Sequence, residues 1–169
     1  MPKSLADGHT KYTILTTEPA DPENPTALEL NAGLDYSCDV LASDFTWSAT
    51  DSDKVAEKAL CDTNNANSLG PSNFNAGATV FRQFDPLTGL PDPTGDAKFE
   101  ALKVKGTRFW GYTRKNGKLA TDAWAAGDEY ELGMEVITDA PQNPSDAGGY
   151  IKYRVPMEPQ RGWQFGDVA

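Results

Sequence analysis

The clearest pattern of apolar and polar positions lies in Gly127-Asp-Glu-Tyr-Glu-Leu-Gly-Met-Glu-Val-Ile-Thr-Asp139. Tyr130, Leu132, Met134 and Val136 occupy every second position, and Glu129, Glu131, Gly133 and Glu135 fill the alternate ones. Successive side chains on a strand point to opposite faces, so the spacing predicts a strand with one apolar and one acidic face. The apolar face calls for a core. The acidic face calls for water, or for something that must not adhere to it.

Shorter runs of the same period predict further strands at residues 11–17, 34–41, 45–49, 78–84, 108–113 and 150–155. Residues 51–62 are ambiguous. Val55, Ala56, Ala59 and Leu60 fit a short capped helix or the return strand of a long hairpin, and the thin apolar stripe favours the strand. The best helix candidate is residues 97–104, with Asp96 as N-cap, Phe99 and Leu102 on one face and Gly106 as the stop. Lys115-Asn-Gly117 is a hairpin-type turn signal. Asn31-Ala-Gly33 reads as a turn. The stretches 18–25, 63–76, 85–94 and 141–149 read as loops, residues 1–10 as an arm, and residues 156–169 as a tail with little periodicity. About eight short strands and one short helix predict an all-β fold, a sandwich or partly closed barrel with a helix at one corner.

Composition narrows the function. At 169 residues the chain suits a single domain, 1–169, and 38% hydrophobic residues suffice for one lean core. A net charge of −10 disfavours tight wrapping around nucleic acid, which needs a cationic surface. There is no apolar run of about 18 residues, and the first ten residues hold no apolar signal core, so residence in a cytosol and no membrane contact are expected. Cys38 and Cys61 are then expected to be reduced and buried as small hydrophobes.

Candidate chemistry is sparse. The single histidine, His9, falls in the arm, where a catalytic base would lack support, and no His/Cys cluster has zinc spacing. Asp51, Asp53 and Asp62, or Glu129, Glu131 and Glu135, have the chemistry for calcium or for a glycosidase pair. Alternate residues on a strand diverge, however, which favours a solvated acidic face. Trp47, Phe109, Trp110, Tyr112, Tyr130 and Trp163 read as core before they read as a sugar platform. No catalytic residue, metal or cofactor is expected.

Charge is segregated along the chain. Acids gather at Asp35, Asp39, Asp44, Asp51, Asp53 and Glu57, and bases at Lys103, Lys105, Arg108, Arg114 and Lys115. Two solvated surfaces would suffice to explain this. The sharper reading is that the two patches meet between copies of the chain, because complementary patches fix register. The inter-copy contact candidates are Asp51, Asp53, Lys103, Lys105 and Arg114.

The order of segments resembles the major tail tube proteins of siphophages, whose long tails do not contract, with a fold of the type shared with the inner tube of type VI secretion. The resemblance is carried by Asn31-Ala-Gly-Leu-Asp-Tyr-Ser37, Asp44-Phe-Thr-Trp-Ser-Ala-Thr-Asp-Ser-Asp-Lys-Val55, Ala59-Leu-Cys-Asp62 and Gly70-Pro-Ser-Asn-Phe74. The residue 97–104 helix, the 108–117 hairpin arm and Ala126-Gly-Asp-Glu-Tyr130 extend it over residues 28–165. It implies a non-enzymatic virion protein, assembled in the host cytoplasm, whose hexameric rings stack into a tube for genome delivery. One sheet from each copy would join its neighbours in a continuous barrel. Residues 1–12, 50–75 and 157–169 would act as N-terminal arm, long loop and C-terminal arm between rings. The implied partners are further copies, the tape measure protein, the tail terminator and distal tail proteins. Double-stranded DNA would pass without specific binding along carboxylates, the lumen candidates being Glu129, Glu131, Glu135, Asp39 and Asp44. A carbohydrate- or receptor-binding β-sandwich is the alternative; it would need an exposed aromatic platform and would not form rings.

Overall fold

The structure is a computed structural model that describes residues 2–146 and 148–169. Nine strands and two short helices are formed among them. The strands are β1 (Thr10–Leu15), β2 (Leu34–Asp35), β3 (Thr46–Thr50), β4 (Lys54–Val55), β5 (Ser68–Leu69), β6 (Asn73–Phe81), β7 (Arg108–Lys115), β8 (Glu129–Thr138) and β9 (Lys152–Asp167). The helices are α1 (Ala27–Ala32) and α2 (Ala97–Leu102).

Seven strands form one antiparallel sheet in the order β2-β1-β7-β8-β9-β6-β3, and β4 and β5 form a separate two-stranded ribbon. The sheet rolls without closing. Trp47 on edge strand β3 meets Tyr12 on β1, at the other side of the sheet, with ring centroids 5.0 Å apart. The chain from Leu34 to Leu41 spans the seam. Tyr36 N–H donates to Tyr12 C=O at 2.8 Å, and Leu41 N–H donates to Thr79 C=O at 2.9 Å. The turn between them keeps residues 34–41 from forming the single strand expected there.

Rolling the sheet encloses the main core. Tyr12, Ile14, Trp47, Ala78, Val80, Phe109, Leu132, Met134, Val136 and Val155 line it, and α2 closes it with Phe99 and Leu102, the pair expected on one helix face. The Trp47 indole N–H satisfies itself on Leu132 C=O at 3.0 Å. A second cluster lies on the opposite face of β1, β7 and β8. Leu15, Trp110, Tyr112 and Tyr130 are covered there by Leu30 of α1, Trp124 and Val168. Tyr130 therefore leaves the apolar row it was expected to share with Leu132, and stacks edge-on against Tyr112 at 5.4 Å. Gly133 is explained by the same contact. A Cβ there would stand 2.5 Å from the Tyr112 ring, so only hydrogen lets the ring lie on the strand.

Four local expectations fail for identifiable reasons. Residues 27–32 form a helix that runs into the turn expected at 31–33, because Thr26 and Glu29 close a capping box: Glu29 N–H donates to Thr26 Oγ1, and the Glu29 carboxylate accepts from Thr26 N–H. Asp96 stands before α2 but makes no side-chain cap bond; its carboxylate accepts Arg82 Nε at 2.9 Å, Arg82 Nη2 at 2.6 Å and Gln83 N–H at 3.0 Å. Cys38 and Cys61 are exposed, not buried. The largest departure is residues 157–169. Instead of a loose tail, residues 152–157 pair with β6 and residues 157–167 pair with β8, so β9 is the sixteen-residue strand that links the two halves of the sheet. Its pattern is broken by Pro156, Pro159, Gly162 and Gly166, and by a register shift between Glu135 and Val136 of its partner.

Candidate functional site

Strand directions set the two ends of the molecule. β1, β6 and β8 start at one end, where β3, β7 and β9 finish. From that starting end the chain makes its longest excursion. Residues 51–72 leave β3 and return to β6, none of them is buried, and they are held by the strand pairs Lys54↔Leu69 and Val55↔Ser68 and by backbone bonds between Asp53 and both Gly70 and Pro71. A two-stranded ribbon this short has little stability of its own. It nonetheless exposes Val55, Leu60 and Leu69. Asp51, Asp53, Glu57 and Asp62 outnumber Lys54 and Lys58 along it. Asn73 Nδ2 braces its root, donating to Asp51 C=O at 3.1 Å and to the Asp53 carboxylate at 2.9 Å.

The opposite end carries Lys103 and Lys105, whereas Lys115, the last residue of β7, lies at the ribbon end. Lys103 and Lys105 follow α2, next to the finish of β8, where Gly106 N–H donates to Thr138 C=O. Lys103 pairs with Glu100, and Lys105 reaches Asp139 at 3.3 Å; both lysines stay solvent-accessible. Leu87, Leu90, Val104, Tyr150 and Ile151 are exposed in the segments that border this end.

The expected sites divide sharply on burial. Arg114 is fully buried and cannot touch a neighbouring copy. Its Nη1 donates to Ala123 C=O and to Asp128, both at 3.0 Å, and its Nη2 to Leu119 C=O at 2.9 Å and Asp122 C=O at 3.1 Å. It pins the loop 116–128 to the sheet, with the Trp124 ring 5.1 Å from the guanidinium. Among the acidic candidates, Glu135 is 3% exposed and held between Arg108 and Arg161. Burial alone would raise its pKa, but hydrogen bonds from both arginines outweigh it and hold the carboxyl below the usual glutamate value. Asp39 is buried against Lys98 and Gln83, and Asp44 is bound by Thr79 and Arg154. Neither of these two, nor Glu135, is a free surface carboxylate. Glu129 is exposed, next to Asp167 across the β8–β9 pair, and Glu131 is half-buried beside Lys115 at 3.2 Å.

No catalytic or ligand-gripping arrangement emerges from these residues. Trp47, Phe109, Trp110, Tyr112 and Tyr130 are all core, and Trp163 is partly covered, with the Arg161 guanidinium 5.3 Å from its ring. Among the described residues no group of three His, Cys, Asp or Glu side chains has a metal-holding arrangement. Among the described residues no helix is long and apolar enough to cross a membrane.

A family model described as phage tail tube protein matches residues 1–169. The chain belongs to the phage tail tube protein family. No curated protein and no solved structure matches it. For a tail tube protein the large antiparallel sheet is the expected frame, and its role is that of a structural component of the virion that assembles with other tail proteins. Two features of this member were hidden from sequence reasoning. The Arg108–Glu135–Arg161 clamp needs the β7–β8–β9 register to be visible, and the Arg114 anchor needs the fold of the 116–128 loop. The one available signal was Arg114 falling in alternation with Trp110 and Tyr112.

Proposed function

We propose that the chain forms hexameric rings that stack head to tail into the tube of a siphophage tail, through which double-stranded DNA leaves for the host. The observation that carries this reading is the unburied ribbon of residues 51–72. An element with two paired strand positions and three exposed aliphatic side chains buries no side chain against its own chain, and a second copy supplies a surface to cover it. Its acidic character, with Asp51 and Asp53 at its root, complements Lys103 and Lys105 at the other end of the sheet. A contact that joins one end to the opposite end of the next copy is heterologous, and it repeats without closing on itself. Within a ring, the edge of β3 that faces away from β6 offers unpaired backbone groups to a neighbour's strand.

Glu129 and Glu131 are the carboxylates proposed for the lumen wall. Negative charge there keeps phosphates at a distance and lets the duplex slide, whereas lysine or arginine would bind it. Tape measure, terminator and distal tail proteins are the partners this role requires, and assembly takes place in the host cytoplasm.

Negative-stain imaging of the purified chain at rising concentration tests the proposal. Hollow six-fold rings and tubes are the expected result. Monodisperse single copies that bind glycans would replace it with a receptor-binding role.

A further inference from the structure

Lys115-Asn-Gly117 carries the signature of a two-residue hairpin, yet no such hairpin forms. β7 ends at Lys115 and β8 begins at Glu129. Neither Asn116 nor Gly117 has the positive φ which that turn requires, and a Cβ on Gly117 would meet no atom within 4 Å. The fold therefore places no demand on this glycine. Its absent side chain does leave the Gly117 nitrogen unshielded. The residue is exposed, and among the described residues no backbone carbonyl accepts its N–H. No other asparagine in the chain is followed by glycine.

The Asn116 side chain is folded back over that nitrogen. Lys118 N–H donates to Asn116 Oδ1 at 2.9 Å. The ring closed by this bond contains both Asn116 Cγ and Gly117 N, so an electrophilic carbon and a nitrogen without a backbone acceptor are kept within one tight loop. The same Lys118 N–H draws electron density from the side-chain carbonyl. It also stands ready to stabilise negative charge on Oδ1, which is the task of an oxyanion donor in acyl transfer.

We propose that Asn116 is a self-modification site, at which the chain converts its own asparagine to aspartate and isoaspartate with water as the only co-reactant. The Gly117 nitrogen loses its proton and bonds to Asn116 Cγ. The bond from Cγ to Nδ2 breaks, and Nδ2 takes up that proton and leaves as ammonia. The cyclic imide then adds one water. Cleavage on its side-chain arm leaves aspartate, and cleavage on its main-chain arm leaves isoaspartate. Nothing is oxidised or reduced. The aspartate product keeps an acceptor for Lys118 N–H. The isoaspartate product adds a methylene to the main chain between β7 and the loop that Arg114 holds, beside Lys118 and its partner Asp128. The proposal does not rest on the tube reading.

The test is peptide mapping by mass spectrometry after the purified chain has stood at mildly alkaline pH. The peptide that holds residue 116 should split into aspartate and isoaspartate forms. Asn64, Asn65 and Asn67 are exposed in the ribbon but precede Asn, Ala and Ser, and they should stay unchanged over the same interval. The folded chain should convert at least as fast as a free peptide of residues 113–121, because the fold supplies the Lys118 donor. A folded chain slower than that peptide by about tenfold, or equal conversion at the ribbon asparagines, would overturn the proposal. As a second measurement, Gly117→Ala, for which the fold has room, should slow conversion by about tenfold with an unchanged thermal midpoint. An unchanged rate in that variant would equally overturn it.

Discussion

A guanidinium removed from water must find acceptors for the donors it turns inward, because an unmatched buried charge costs several kcal/mol. Arg114 meets this demand at both Nη atoms, with three backbone carbonyls and Asp128, and leaves only Nε without a partner; Asp128 is itself steadied by Lys118 at 2.5 Å and Ala125 N–H at 3.0 Å. Lysine lacks the planar fork and cannot reproduce the set. Arg114→Ala should lower stability by about 3–5 kcal/mol in urea denaturation, with the loop 116–128 losing hydrogen-exchange protection first. Glu135 makes the same kind of argument with pH. Its folded pKa lies below that of a free glutamate, so its contribution is complete above the unfolded value of about 4.3 and is lost as pH falls through the folded value. Glu135→Gln should therefore be less stable than the native chain by about 2 kcal/mol at neutral pH, and the gap should narrow below about pH 4. A gap that stays constant down to pH 3 would show that the arginine clamp adds nothing through charge.

At the scale of elements, the ribbon is the piece the fold does not need. Thr50 and Asn73 already face each other as the last β3–β6 pair, and a two-residue Asn-Gly turn can join such positions. Replacing residues 51–72 with that turn should leave the thermal midpoint within a few degrees of the native value, since no buried residue is removed. Tube formation should disappear, as judged by sedimentation and imaging. Tubes of normal length from the shortened chain would take the ribbon out of the contact between rings. β8 and β9 behave in the opposite way. They carry the longest ladder in the sheet, and damage there should cost folding before it costs assembly.

For the whole molecule, the distribution of charge matters more than its sum. A net charge of −10 gives stacking no help from the overall field, so the attraction between copies depends on where the few bases stand. Lys103 and Lys105 have partners in their own chain, Glu100 and Asp139, but both are open to solvent and such pairs are worth little alone. Lys103→Glu with Lys105→Glu should prevent tube formation while leaving circular dichroism unchanged. Assembly of the native chain should also weaken as salt rises from about 0.05 to 0.5 M, because surface charges are screened within about a Debye length. Assembly indifferent to both changes would move the contact to the apolar residues at the two ends.

Local pattern alone determined the strand at 129–138, its inward residues Leu132, Met134 and Val136, and the two core residues of α2. Alternation and helical spacing are properties of neighbouring residues, and they survive whatever the rest of the chain does. It also marked residues 63–76 as a long polar loop, because Asn and Gly leave little to bury, although residues 73–76 in fact open β6. Tertiary structure alone decided the fate of the charges. Glu131 and Glu135 look alike on the strand, yet one stays partly open beside Lys115 while the other lies between two arginines from β7 and β9. Arg114 and Lys105 look alike as bases, yet one is walled in and the other is free to meet a neighbour. A side chain's exposure depends on strands far away in sequence, and so does the pairing of β9, whose prolines and glycines conceal a strand that its two neighbours define.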